Sequence, residues 1–139
     1  MDRKDFIKNS CRACASLFVL SSIASLESCS PIKLVNSDIK DNSMQVDIAN
    51  FEKTNTLKVR NMSLPYDVFL TKKENNYEAI YMKCSHNDNP VYANTKGFNC
   101  PTHGSSFDLD GKVLVGPATE PLKKLKTVLE NNFVKILLS

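Results

Sequence analysis

Two short segments of this 139-residue chain bring together side chains that bind metal ions. The first holds Cys84 and His86, with one residue between them, and the second holds Cys100 and His103, with two residues between them. These four residues include both histidines of the chain and two of its five cysteines. Thiolates and imidazoles are both common metal ligands. The repeated pairing therefore predicts a metal site built from two loops.

Two kinds of metal centre use four ligands of this chemistry. Zinc takes Cys₂His₂ sites, commonly from a pair of cysteines followed by a pair of histidines. Here the order alternates, which suits a two-iron cluster that has two cysteines on one iron and two histidines on the other. The 13 residues between His86 and Cys100 leave room for one loop to end and a second to return. The order favours the iron–sulfur centre and keeps zinc as the alternative.

The residues around these positions resemble the Rieske 2Fe–2S domain family. The matching segments are Cys84–His86, Cys100–Ser105, Phe107–Val113 and Gly116–Ala118, the last of which looks like the family's proline loop over the cluster. The resemblance implies a Rieske-type 2Fe–2S cluster as cofactor. Cys84 and Cys100 would bind one iron, and His86 and His103 would bind the other. The resemblance also implies that Ser105 donates a hydrogen bond to the cluster.

Three positions depart from the Rieske proteins of cytochrome bc complexes. Those proteins carry a further cysteine in each loop, joined as a disulfide, where this chain has Asn89 and Thr102. They also carry a tyrosine that donates to a cysteine sulfur, where this chain has Phe107. Donors to the sulfurs favour the reduced cluster, so we expect a reduction potential below that of bc-type centres. In lacking this disulfide, the chain resembles the Rieske ferredoxins and the Rieske centres of oxygenases.

The segments that must hold these loops show the pattern of short β-strands. Apolar residues alternate in 45–50, 57–70 and 77–82, and further β-prone runs cover 112–115, 125–129 and 133–138. Turn residues separate the runs, and Asn131 and Asn132 mark the clearest hairpin. The pattern predicts an all-β fold, and the resemblance makes it a Rieske-type antiparallel β-sandwich. A loop-rich cluster-binding part, about 84–122, lies within it.

The first 28 residues have the three parts of an export signal. A charged start, 1–8, precedes an apolar run of small residues, 13–26. The sequence Leu-Glu-Ser-Cys at 26–29 resembles a lipobox, which implies cleavage after Ser28 and lipid attachment to Cys29. Residues 3–8 resemble a twin-arginine signal with lysine in place of the second arginine. The alternative is an uncleaved anchoring helix, but the apolar run is shorter than the ~17 residues of a membrane span.

Three parts of the chain follow from these patterns. Residues 1–28 are predicted to be a lipoprotein-type signal peptide, and residues 44–139 to be one Rieske domain. The segment 29–43 is polar and shows no lasting periodicity, so it is predicted to be a lipidated tether.

Composition and charge reduce the range of possible functions. The net charge is only +3 and no long basic run is present, which argues against nucleic-acid binding. We assign no catalytic residue, because Ser105 and Ser106 have no base nearby except His103, which we assign to iron. The sequence leaves open whether the protein is a subunit of an oxidoreductase.

We therefore expect a one-electron carrier, tethered by lipid at Cys29 to the extracytoplasmic face of the cell membrane. Its partner would be a quinol oxidoreductase or a cytochrome. A Rieske ferredoxin serving an oxygenase is the alternative, favoured by the missing disulfide and opposed by the export signal. A sensor or interaction module with a structural cluster is the third hypothesis.

Overall fold

Thirteen short β-strands organise the part of the chain that the computed structural model describes, residues 31–139. The predicted signal peptide and Cys29 lie outside these residues. The strands are β1 (Lys33–Asn36), β2 (Ile39–Lys40), β3 (Ser43–Asp47), β4 (Thr56–Arg60), β5 (Val68–Lys73), β6 (Asn76–Tyr81), β7 (Tyr92–Asn94), β8 (Gly97–Asn99), β9 (Ser106–Phe107), β10 (Val113–Val115), β11 (Lys124–Leu125), β12 (Thr127–Glu130) and β13 (Phe133–Leu137). Within 31–139, no helix has the length and apolar character needed to cross a bilayer.

The strands form three sheets. One has the order β1-β4-β5-β6-β11, the second β12-β13-β3-β2, and the third β10-β9-β8-β7. Neighbouring strands are antiparallel except for β1 and β4, which pair in parallel. The predicted all-β class and the largely antiparallel pairing are thereby confirmed, with one parallel pair at an edge.

The first two sheets enclose the larger hydrophobic core. Alternate residues of each strand point into it because successive side chains of a strand face opposite sides. The fully or nearly fully buried members are Met44, Val46, Phe51, Leu57, Val59, Val68, Leu70, Ala79, Leu125, Val134 and Ile136. This core makes the β-sandwich that supports the rest of the domain.

The opposite faces of β5 and β6 support a second core. Phe69 lies between Val68 and Leu70 in sequence, but its side chain packs away from theirs, and Ile80 does the same on β6. This core consists of Phe69, Ile80, Met82, Cys84, Val91, Phe98, Cys100, Phe107, Ala118 and Leu122. The Phe69 and Phe98 rings meet edge to face, with centroids 5.0 Å apart. The two predicted ligand cysteines therefore lie in a core that begins on the sandwich.

The predicted tether is wrong over residues 33–43. Strand β1 pairs with β4, and β2 forms a hairpin with β3. The turn between β2 and β3 consists of Asp41 and Asn42, whose φ angles of 49° and 53° fit a two-residue hairpin turn. Strands of two to four residues are too short to show a hydrophobic period in the sequence. The turn residues Asp41 and Asn42 were the one local indication of a hairpin here. The folded domain begins well before residue 44.

Two other predicted boundaries also change. Residues 48–50 were expected to continue a strand, but Ile48–Phe51 forms a 3-10 helix, capped by the Asp47 carboxylate, which accepts from the Ala49 N–H at 2.8 Å. The run 125–129 is split at Lys126, because β11 and β12 belong to different sheets. The hairpin at residues 131–132 is confirmed, since Glu130 pairs with Phe133.

Replacing Phe69 by alanine is expected to destabilise the domain by about 3–5 kcal/mol, the usual cost of deleting a buried aromatic ring. Phe69 is 2% exposed and belongs to the second core. Equilibrium unfolding in urea measures the change. Phe133→Ala is the matched control, because Phe133 is 42% exposed and should cost much less. Equal costs for the two variants would contradict the two-core description.

Candidate metal centre

The first ligand loop, Cys84–Asn89, is closed at its base by backbone hydrogen bonds. The Cys84 N–H donates to the Asn89 carbonyl at 2.8 Å, and the Val91 N–H donates to the Met82 carbonyl at 3.1 Å. An isolated bridge also pairs Lys83 with Pro90. The loop therefore leaves β6 and returns to the same place, with Cys84 at its start.

The second ligand loop, Cys100–Ser105, is closed in the same way. The Cys100 N–H donates to the Ser105 carbonyl at 2.8 Å, so each ligand cysteine bonds to the carbonyl five residues later. The Gly104 N–H also donates to the Cys100 carbonyl, and the φ of Gly104 is 83°, which glycine adopts readily. The loop joins β8 to β9, which pair with each other. The two segments are thus similar in backbone hydrogen bonding as well as in sequence.

The two loops separate the cysteines from the histidines by depth. Cys84 and Cys100 are free thiols that are 2% and 1% exposed. His86 and His103 are exposed, and their rings face each other edge to face with centroids 5.2 Å apart. The structure thus places the thiols on the protein side and the imidazoles on the solvent side.

Hydrogen bonds around Cys100 favour its thiolate. Burial raises the pKa of the Cys100 thiol, but hydrogen bonds from Cys84 and from the backbone of Thr102 and His103 outweigh burial and lower the pKa below its usual value. The thiolate is the form that binds metal. The local chemistry of Cys100 therefore fits a metal ligand.

Ser105 ties the second loop to the predicted proline loop. Its buried hydroxyl oxygen accepts from the Ala118 N–H at 3.0 Å. A hydroxyl also has one hydrogen to donate, and within 31–139 no protein group accepts it. A cluster sulfur beside this hydroxyl would supply an acceptor, so Ser105 fits its predicted role.

Two contacts escaped sequence reasoning. The Ser85 hydroxyl donates to the Glu120 carbonyl at 2.5 Å. This bond joins the first loop to the residues that follow the predicted proline loop, Gly116–Ala118. The Tyr66 hydroxyl donates to the Asp88 carbonyl at 2.8 Å. Both contacts link residues more than 20 positions apart, and no local pattern announces such a pair.

The donor set fits a [2Fe-2S] cluster. Such a cluster needs two protein ligands for each iron, two cysteines on one and two histidines on the other. Two buried thiols and two exposed imidazoles provide this division, and each loop contributes one of each. In the described part of the chain, no three histidine, cysteine or acidic side chains are grouped to hold a single ion. A cluster with two protein ligands per iron does not require such a group.

Comparison with known families agrees with this chemistry. The family model of the Rieske [2Fe-2S] domain matches residues 38–126, well over half of the chain. The chain therefore belongs to the Rieske [2Fe-2S] domain family. Its cofactor is a [2Fe-2S] cluster of the Rieske type, which serves electron transfer.

The chain is similar to two named proteins. Cytochrome b6-f complex iron-sulfur subunit 2 of Nostoc sp. is 36% identical over 56 residues, which are 40% of this chain and 30% of that protein. The chain thus spans less than a third of that relative. The crystal structure of the plasma membrane Rieske protein PetC3 from Synechocystis matches with a TM-score of 0.52 and 26% identity, over 65% of this chain and 93% of that one.

A third match concerns the fold alone. The complex of oxygenase and ferredoxin in carbazole 1,9a-dioxygenase contains a chain with a TM-score of 0.51 and 15% identity, covering 71% of this chain and 95% of that one. The Rieske fold is therefore shared with proteins of more than one redox system.

Ser105→Ala is expected to destabilise the domain by about 1–3 kcal/mol, because the buried Ala118 N–H loses its acceptor. Urea unfolding measures this loss. Ser106→Ala is the matched control: Ser106 is only partly buried and makes no side-chain hydrogen bond within 31–139, so its cost should stay within about 0.5 kcal/mol. A loss no larger for Ser105 than for Ser106 would refute the link to the proline loop.

Proposed function

We propose that Cys84 and Cys100 bind one iron of the cluster and that His86 and His103 bind the other. The separation by depth carries this proposal, because the thiols are buried together while the imidazole rings lie exposed, 5.2 Å apart. When bound, a [2Fe-2S] cluster accepts and releases one electron.

The residues around the ligands divide the remaining tasks. Phe98 and Phe107 are buried beside the two cysteines and exclude water from the thiolates. Neutral imidazoles add no negative charge, which keeps the potential higher than four thiolates would. Because His86 and His103 face solvent, their rings form the contact point for a redox partner and can exchange a proton with it. Ser105 contributes one hydrogen-bond donor to the cluster, whereas Phe107, which has no hydroxyl, contributes none.

The same proposal includes an export signal over 1–28 and a lipid anchor at Cys29, so that the domain works at the extracytoplasmic face of the cell membrane. The lipobox-like sequence supports it, as does similarity to a plasma membrane Rieske protein and to a cytochrome b6-f subunit. The partner would be a quinol oxidoreductase or a cytochrome. A tether between Cys29 and the domain would end before β1, which begins at Lys33.

A second candidate is a Rieske ferredoxin that serves an oxygenase. Its support is specific: Cys84 and Cys100 are both free, so no disulfide joins the two loops within 31–139. Asn89 and Thr102 stand at the positions where such a bond is found in bc complexes. The cellular compartment distinguishes the two candidates, because an oxygenase ferredoxin works in the cytoplasm.

The ligand assignment predicts the spectrum of the reduced protein. Wild-type protein is expected to give a Rieske-type EPR signal and to contain two irons and two sulfides. Cys84→Ser and His103→Ser should each lose the signal and the iron, because each removes one of four ligands. Cys29→Ser is the matched control and should keep both. An EPR-silent protein that contains zinc would refute the assignment.

The anchor assignment predicts where the protein is found. In cells fed labelled palmitate, wild-type protein should carry the label and sediment with membranes, whereas Cys29→Ala should lose both properties. Cys14→Ala is the control, since Cys14 lies inside the predicted signal peptide and should behave as wild type. Recovery of unlabelled protein in the cytoplasm, with its N-terminus intact, would overturn the anchor and favour the ferredoxin.

A further inference from the structure

The outer part of the first ligand loop has little support of its own. Residues 86–88 are exposed. The hydrogen bond from Cys84 to Asn89 closes the base of the loop, and the Ser85 hydroxyl bonds to the Glu120 carbonyl, but neither contact holds residues 86–88 directly. Their local contacts come from Asn87, which accepts from the N–H groups of Asp88 and Asn89. Because no disulfide is present within 31–139, the second loop gives no covalent support either.

Tyr66 supplies a contact from a distant segment. It lies between β4 and β5, and its hydroxyl donates to the Asp88 carbonyl at 2.8 Å. Asp88 is two residues after His86. Within 31–139, Tyr66 is the one residue distant in sequence that hydrogen-bonds residues 86–89. The contact therefore restrains the Asp88–Asn89 peptide, two residues after His86.

The Tyr66 ring is itself held in place. It packs edge to face on Tyr81, with centroids 5.5 Å apart and an interplanar angle of 85°. Tyr81 ends β6, the strand that leads into the first ligand loop. The loop is thus connected to its own supporting strand through Tyr66. A nearby ion pair, Lys83 with Asp88 at 2.8 Å, adds less because both side chains are well exposed.

We propose that Tyr66 is a positioning residue for His86. Its hydroxyl fixes the Asp88 peptide, and the fixed peptide sets the place of the His86 ring relative to His103. This rests on the proposed assignment of His86 as an iron ligand. Loss of the hydroxyl leaves the loop held at its base and at Ser85, but residues 86–88 lose their one hydrogen bond from a distant segment. The iron on the histidine side is then released more easily, and its surroundings become heterogeneous.

Tyr66→Phe in the full-length protein, loaded with its cluster, tests the role. The ring and its packing on Tyr81 remain, and only the hydrogen bond is lost. One net hydrogen bond corresponds to about a 2- to 10-fold change in an equilibrium or rate. We therefore expect cluster loss to a chelator, followed by visible absorbance, to be about 2- to 10-fold faster. The reduced EPR signal should also broaden, because the His86 ring takes several orientations.

Two control variants separate the hydrogen bond from its surroundings. Tyr92 lines the same cavity as Tyr66, of about 390 Å³, and is 61% exposed. Its hydroxyl makes no hydrogen bond within 31–139, so Tyr92→Phe should match wild type. Asp88→Asn removes the ion pair with Lys83 but keeps the carbonyl that Tyr66 uses. It should stay close to wild type in both measurements.

The outcomes are distinct. A wild-type Rieske signal, with Tyr66→Phe unchanged in cluster loss and line width, overturns the positioning role and leaves the ligand assignment intact. Equal effects from Tyr92→Phe overturn the positioning role too. A lower urea midpoint for Tyr66→Phe with an unchanged EPR signal also overturns it, because that result indicates a purely structural role. Wild-type protein that holds no [2Fe-2S] cluster overturns the ligand assignment and this inference together.

Discussion

The alternation of side chains along β5 and β6 is the constraint on which the rest of the domain depends. Val68 and Leu70 fill the sandwich core, whereas Phe69 and Ile80 point the other way and begin the second core. A shift of either strand by one residue would exchange these two faces. Because Cys84 and Cys100 are part of the second core, the register of the β5–β6 hairpin decides whether the thiols are buried.

The site then follows from two loops with the same backbone closure. In each loop, the cysteine N–H bonds to a carbonyl five residues later, which keeps the cysteine at the buried base. The histidine lies two or three residues further on, where the loop reaches solvent. Depth thus separates the cysteines from the histidines, and residues 118–120 are attached to the two loops through Ser105 and Ser85. The histidine side faces solvent.

Part of the strand pattern was predictable because buried and half-buried positions alternate in β4. In β5 and β6, neighbouring residues are buried on opposite faces, in two different cores. The errors have physical causes. Residues 33–43 form strands that are too short to carry a period, and they are stabilised by pairing with β4 and β3. The run 125–129 is continuous in sequence, yet it crosses between sheets at Lys126. Local composition does not reveal which sheet a strand joins.

The family and the class of cofactor were predictable through a resemblance that rests on the types, order and spacing of a few neighbouring residues. The same segments show that the loops lack the cysteines for a disulfide, at Asn89 and Thr102. Only the three-dimensional fold places the thiols in the core and the imidazoles in solvent. It alone brought Tyr66 to the Asp88 carbonyl, across 22 residues of sequence. Such contacts depend on how the sheets pack, and packing joins residues that no spacing rule connects.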